Sequence, residues 1–452
     1  MKTSATRRAR LALHRFRRTR SPQVNIVLGF LFYTVVGWML LCLPIFQSVY
    51  VPVLDNLFTA ASAISTTGLT TVSIADNYNL AGQMIVTGLF QIGGIGYMTL
   101  TTYYLLLTSR TMTRWHRNLM GATFTMPKNI EVRDFIRSAI VYTVVMEVVG
   151  AVAFVAGFMR TGMEFGRAVW YGIFHSISAF CTAGFGLNND SFEQYADDVF
   201  LNAIVAVLAI AGSLGFIVIT DLYLRLSGRE RHLSFTTKIV VVGFTVLVAA
   251  GTGLIYFTEP IVRGGDGHAL LKSFFAAMSA ITTVGFNSVP TGAMRAPVLL
   301  VVILLMYIGA SPSGTAGGMK ITTLTAMIAV LKSHLRGSKQ ITFLGRRIPT
   351  ERLYVATSTF ILYTSLIFLF SIILSYTETG ALYEHVLFET ASALGTVGLS
   401  SGLTGVLTTA GKVILIAVMF IGRVGVLTFG FALLARKQRE GMDEPLDDDL
   451  AV

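Results

Sequence analysis

The chain has 452 residues, 53% apolar and only 13% charged, with a formal net charge of +11. Soluble domains run near a quarter charged, so there are too few charges here to cover soluble surfaces. The long apolar runs point to a membrane protein whose basic residues set topology rather than bind nucleic acid. Two cysteines, Cys42 and Cys181, exclude a disulfide framework and a zinc cluster.

In chain order, residues 1–24 form a basic tail with Lys2, Arg7, Arg8, Arg10, Arg15, Arg17, Arg18 and Arg20, and no acid precedes Asp55. An apolar run over 25–46 follows. It is about as long as a bilayer is thick and ends at Leu43-Pro44-Ile45-Phe46, a poor cleavage site, which predicts a first transmembrane helix and not a signal peptide. At Ser62 begins an octet of pattern Ser-Ala-x-x-Thr-x-Gly-(Leu/Phe), which recurs from Ser178, Ser279 and Ser392. Its glycines stand at 68, 184, 285 and 398, steps of 116, 101 and 113 residues that fill the chain.

Each octet sits in one context. A long apolar helix precedes it, over 25–46, 138–159, 237–257 and 353–375, followed by a short stretch that cannot span. A second long apolar segment follows, over 82–107, 198–222, 296–331 and 409–435. The expected architecture is an all-α polytopic membrane protein of four tandem helix–pore-helix–filter loop–helix repeats, 25–107, 138–222, 237–331 and 353–435, around one pseudo-fourfold pore, with a cytoplasmic tail at 436–452. With both termini inside, the segments 1–22, 109–137, 221–238, 332–352 and 436–452 hold 27 of the 35 basic residues, in keeping with the positive-inside rule. The octets then enter and leave on the outer face as re-entrant segments.

Non-helical backbone at membrane depth is tolerated only where protein buries it or where it lines a water-filled path. Thr66, Thr67 and Gly68, then Thr182, Ala183 and Gly184, Thr283, Val284 and Gly285, and Thr396, Val397 and Gly398 supply carbonyls, a hydroxyl and a glycine free to take φ > 0. Four such strands around an axis replace a cation's hydration shell with carbonyl oxygens. The octets carry no charge, which argues against a divalent or anion pore. The plainer alternative is that the small residues only let helices pack closely.

These residues resemble the superfamily of potassium transporters that includes the bacterial Ktr and Trk membrane subunits and the plant HKT proteins, over residues 25–435. The length is more similar to the Ktr membrane subunit. The resemblance implies potassium uptake through one K⁺ filter, with K⁺ held at the filter carbonyls. Glycine at all four filter positions falls on the potassium side of the family. Less selective K⁺/Na⁺ permeation, Na⁺ dependence and Na⁺-coupled cation symport remain alternatives. Also implied are a homodimer and a ring of cytosolic nucleotide-binding regulatory subunits of RCK/KTN type, so that nucleotide acts only through the partner. The location implied is the cell inner or plasma membrane, multi-pass, with both termini cytoplasmic.

The second span of the third repeat is interrupted at 309–320, which contains Gly309, Ser311, Gly314, Gly317, Gly318 and Lys320. This loop is expected to gate the path just inside the filter, facing Arg423 in the fourth repeat. No strand precedes the loop and its spacing is wrong for a phosphate loop. Glu147 is expected in a buried pair or a proton relay, His175 as a packed side chain, and Asp55, Glu384 and Glu389 as acids that draw cations to the outer mouth. No catalytic motif is present, so the chain is not expected to be an enzyme. The acidic run Asp443–Asp449 is expected to meet a basic partner or a neighbouring subunit, or to be solvated.

Overall fold

The computed structural model describes residues 22–96, 132–228, 232–263, 267–338 and 340–434. The basic N-terminal tail, the end of the first repeat at 97–107, most of the basic connection 109–137 and the acidic tail lie outside the described residues.

Each repeat opens with a helix long and apolar enough to cross a membrane: α1 (Pro22–Leu41), α4 (Val132–Arg160), α7 (Phe235–Thr258) and α11 (Thr350–Thr377). In α4, Val141, Val144, Val145, Val148, Val149 and Val152 form an exposed stripe at helical spacing, while Thr143, Glu147, Phe154 and Phe158 are buried on the other face. An exposed apolar stripe backed by buried polar groups is the pattern of a lipid-facing helix.

The short helices α2 (Val53–Ile64), α5 (Phe165–Phe180), α8 (Ala269–Thr282) and α12 (Tyr383–Gly395) come next and run directly into the octets. Their last turns are buried on all sides, and the octet alanines Ala63, Ala179, Ala280 and Ala393 have no exposed surface. A larger side chain there would have to displace packed neighbours.

The returning helices are α3 (Leu80–Ile95), α6 (Val199–Leu226), α9 and α10 (Ala296–Tyr307 and Ile321–Leu335), and α13 and α14 (Thr409–Val424 and Val426–Leu434). Asn79, Asp198 and Thr408 cap α3, α6 and α13 by accepting from backbone N–H groups of the first turn. The sequence suggests one interrupted span, in the third repeat; the structure also breaks the second helix of the second and fourth repeats, and α3 of the first ends at Gly96, the last residue described there. Gly96 (φ 82°, ψ 124°), Gly215 (φ 80°, ψ 158°) and Gly425 (φ 90°, ψ 128°) each lie 16 residues beyond the first residue of α3, α6 and α13. In the third repeat the break opens at Ile308 and widens into a loop that closes at Lys320. The axis turns by 99° between α13 and α14. A single glycine in a left-handed or extended state suffices for such a break, and among 43 glycines nothing in the pattern marks these three.

Among the described residues, strands form two short pairs, beside one isolated bridge between Gln47 and Tyr78. β1 (Ile308–Gly309) and β2 (Met319–Lys320) pair in parallel and tie the ends of the third-repeat loop, and β3 (Thr342–Phe343) and β4 (Arg346–Arg347) form a hairpin between α10 and α11.

Candidate functional site

The octet pattern is a helix-ending motif. In all four repeats the N–H of the threonine donates to the octet alanine's carbonyl: Thr66 to Ala63, Thr182 to Ala179, Thr283 to Ala280 and Thr396 to Ala393, at 2.9–3.3 Å. The next N–H, of Thr67, Ala183, Val284 or Val397, donates to the carbonyl of Ser62, Ser178, Ser279 or Ser392 at 2.8–3.2 Å. These are the paired bonds of a Schellman cap, with threonine where glycine is usual. The four threonines accordingly take φ between 48° and 54°. A β-branched residue in that region costs about 1–2 kcal/mol, so the fold holds four strained residues at one level. The octet serine fastens the exit. Ser62 and Ser392 accept from the N–H of Gly68 and Gly398 at 3.1 Å. Ser178 and Ser279 donate to the carbonyls of Phe185 and Phe286 at 2.8 and 2.6 Å. The leucine-ended and phenylalanine-ended octets thus form two pairs.

The four loops meet. A methyl added to Gly68 would strike the carbonyl of Ala183, one on Gly184 that of Val284, one on Gly285 that of Val397, and one on Gly398 that of Thr67. The contacts run from each repeat to the next and close on the first, so the twelve predicted loop residues form one ring. Each ring glycine also has φ between 67° and 94°. None of the carbonyls of the four Thr-x-Gly triplets accepts a hydrogen bond among the described residues. Backbone carbonyls are normally paired when buried, so twelve unpaired ones at one place are oxygen acceptors without a protein donor. Above the ring lies a cavity of about 380 Å³, lined by the four glycines together with Asn188, Asn189, Asn287 and Ser400 and by no charged side chain among the described residues.

The predicted loop 309–320 lies beneath. It is docked on the break in α6: the N–H groups of Ser311 and Thr315 donate to the carbonyls of Ser213 and Gly212 at 3.2 and 3.1 Å, and Phe216 N–H donates to Ser313 at 3.2 Å. Its glycines are required by crowding, since a Cβ on Gly309 would meet the Gly317 carbonyl and one on Gly314 the Ser213 carbonyl. Lys320 Nζ donates to the carbonyls of Ala316 and Gly317 at 2.5 and 2.7 Å. Arg423 donates to the Thr315 carbonyl at 2.7 Å and, with its other nitrogen, to the carbonyls of Gly93 and Gly94 at the end of α3. One guanidinium on the fourth repeat therefore joins the loop of the third to the end of α3 in the first. Sequence reasoning brought Lys320 and Arg423 to this place but missed Gly212, Ser213 and Thr315; the Gly-Ser pair inside an apolar helix was the available signal.

The outer acids differ from expectation. Asp55 is buried, bonded to Lys412 Nζ at 2.5 Å and to the Thr71 hydroxyl at 2.7 Å. Glu389 is fully buried and accepts from Ser400, Ser401 and Thr404 at 2.6–3.2 Å. Both brace the outer loops instead of facing the mouth, because burial at the pore helices leaves them inward partners only. Glu147 receives both carboxylate contacts from Gln91 Nε2, at 2.8 and 3.0 Å, beside Cys181. His175 is packed as expected: Leu187 N–H donates to Nε2, which leaves Nδ1 to donate to the Tyr171 carbonyl within a cluster of phenylalanines.

The sequence family described as "TrkH: Cation transport protein" matches residues 9–440. The chain is 34% identical to the potassium/sodium uptake protein NtpJ of Enterococcus hirae, over 94% of this chain and 95% of that one. It is likewise 34% identical to the Ktr system potassium uptake protein B of Bacillus subtilis, over 92% and 94%. The crystal structure of the potassium transporter TrkH from Vibrio parahaemolyticus superposes with a TM-score of 0.72 at 20% identity, covering 92% of this chain and 86% of that one.

Proposed function

The chain belongs to the TrkH cation transport family and is a potassium/cation uptake transporter of the Ktr/Trk type, and from that premise we propose that it conducts K⁺ through one filter made by the four Thr-x-Gly loops. The observation that carries this is the closed ring of glycine–carbonyl contacts with its unpaired carbonyls. A cation entering the uncharged vestibule exchanges water for carbonyl oxygen, and glycine at every ring position lets neighbouring backbones approach closely enough to do so. The loop 309–320 is the gate, held shut by Lys320 and Arg423, whose charges also oppose a cation passing beneath the ring.

Regulation comes from outside the chain. The described intracellular connections are too short to fold alone. The resemblance to the Ktr membrane subunit supports a homodimer on a ring of cytosolic nucleotide-binding subunits, and the distribution of basic residues supports both termini inside.

Rubidium uptake into proteoliposomes holding the chain, with its cytosolic partner added in a second arm, tests this. Uptake blocked by K⁺ and barely by Na⁺ is the expected result. Block by both ions alike would keep the pore and favour mixed permeation, which the name of the Enterococcus relative makes worth measuring. No uptake in either arm would refute the proposal.

A further inference from the structure

The four ring threonines are equivalent in sequence and in backbone, but their hydroxyls have different fates. Thr283 Oγ1 accepts the N–H of Gly317 at 2.9 Å. Thr182 Oγ1 lies 3.2 Å from Thr315 Oγ1, which in turn donates to the Phe180 carbonyl at 3.1 Å. Gly317 packs so closely on Thr396 that a methyl there would collide with its hydroxyl. The hydroxyls of Thr66 and Thr396 are fully buried and have no hydrogen-bond partner. Residues 315–317 therefore rest on three of the four hydroxyls at the inner end of the ring. Three successive loop carbonyls, of residues 315, 316 and 317, are held from below by Arg423 and Lys320.

We propose that a cation bound by these threonine hydroxyls at the innermost level of the ring and the docked loop exclude one another, so that ion occupancy and gate closure are coupled. The inference rests on the proposed filter. The hydroxyl oxygens a dehydrated cation needs are those the loop covers, and the docked loop lies against Lys320 and Arg423 beneath the ring. The hydroxyls of Thr66 and Thr396 leave two acceptors at that level that the docked loop does not fill. Linkage makes the effect reciprocal: whatever weakens loop docking tightens the inner site, and an ion that fills the site releases the loop by the same factor. The apparent affinity falls with the fraction of molecules whose loop is undocked. A regulatory partner that pulls the loop away therefore raises inner-site affinity as well as opening the path.

The test is equilibrium rubidium binding to the full chain in lipid nanodiscs, comparing the parent with Thr315→Val and with a deletion of residues 312–317. If the loop is docked nine-tenths of the time, both variants bind Rb⁺ about tenfold more tightly. The reciprocal arm places a cysteine at Ser313 and follows its modification, which saturating Rb⁺ is expected to accelerate while N-methylglucamine leaves it unchanged. This arm keeps the inference falsifiable should either loop variant fail to fold. Equal Rb⁺ affinity in all three proteins, or a modification rate indifferent to Rb⁺, overturns the coupling and leaves the filter standing. Absence of saturable Rb⁺ binding in every protein overturns the filter and the coupling with it.

Discussion

At the scale of single residues, glycine serves the ring in two ways, through backbone conformation and through space. Gly184 and Gly285 have φ of 67° and 79° and face a neighbouring carbonyl where a Cβ would stand. Gly184→Ala or Gly285→Ala is expected to lower K⁺ over Na⁺ preference in rubidium competition by about tenfold or more, roughly 1.4 kcal/mol of discrimination. Gly88→Ala is the control, because nothing lies within 4 Å of its added methyl. That substitution is expected to leave uptake and selectivity unchanged. A selectivity loss shared by all three variants would mean that the ring glycines have no special role. Arg423 is a different kind of residue, since its fork reaches two chain segments at once. Arg423→Gln is expected to raise uptake in the absence of the cytosolic partner. Arg423→Lys should not restore closure, because an ammonium cannot bridge both carbonyl groups in that geometry. Restoration by lysine would point to charge alone.

At the scale of elements, the loop 309–320 is the one long departure from helix inside a span among the described residues. Deleting residues 312–317 is expected to raise flux several-fold in the same proteoliposome assay, and unchanged flux would remove the gate. This loop was legible in sequence because the run Ser311-Pro312-Ser313-Gly314, with Gly317 and Gly318 close behind, cannot sustain a helix. The four octets were legible because the cap puts threonine four residues after the octet serine and the ring puts glycine six after it, and repetition lifts that spacing above chance. The breaks at Gly215 and Gly425, and the end of α3 at Gly96, were not legible. A glycine that kinks a helix and one that merely admits a neighbour look alike in a sequence, and only the φ of the folded chain separates them. The acids also misled. Asp55 and Glu389 have the charge to attract cations, yet Lys412, 357 residues from Asp55, and the loop 400–404, 11 to 15 residues beyond Glu389, turn them inward. A pairing as remote as the first leaves no local mark, and the second depends on how the octet's exit folds back.

At the scale of the whole molecule, two junctions between repeats are pinned by ion pairs of opposite polarity. Asp55 on the first short helix meets Lys412 on the fourth repeat at 2.5 Å, and Lys272 on the third short helix meets Asp197 of the second repeat at 3.0 Å. Asp55 and Lys272 each stand seven residues before their octet serine. Asp55→Asn leaves Lys412 largely buried without its counter-charge, which is expected to cost about 3 kcal/mol and to lower the thermal midpoint of the purified protein. Exchanging the two residues, Asp55→Lys with Lys412→Asp, should recover part of the loss; no recovery would show that the Thr71 contact dominates. The exposed Arg160–Asp198 pair at 3.8 Å is the contrast, and Arg160→Ala is expected to shift the midpoint little. The seam closed by Asp55 and Lys412 joins residues 357 apart in the chain. A ribosome adding about 5–20 residues per second exposes that aspartate on the order of 20–70 s before its lysine is synthesised. The ring can therefore close only after nearly the whole chain has entered the bilayer, and a nascent protein truncated before the fourth repeat lacks both the Gly285–Val397 and the Gly398–Thr67 contacts that complete it.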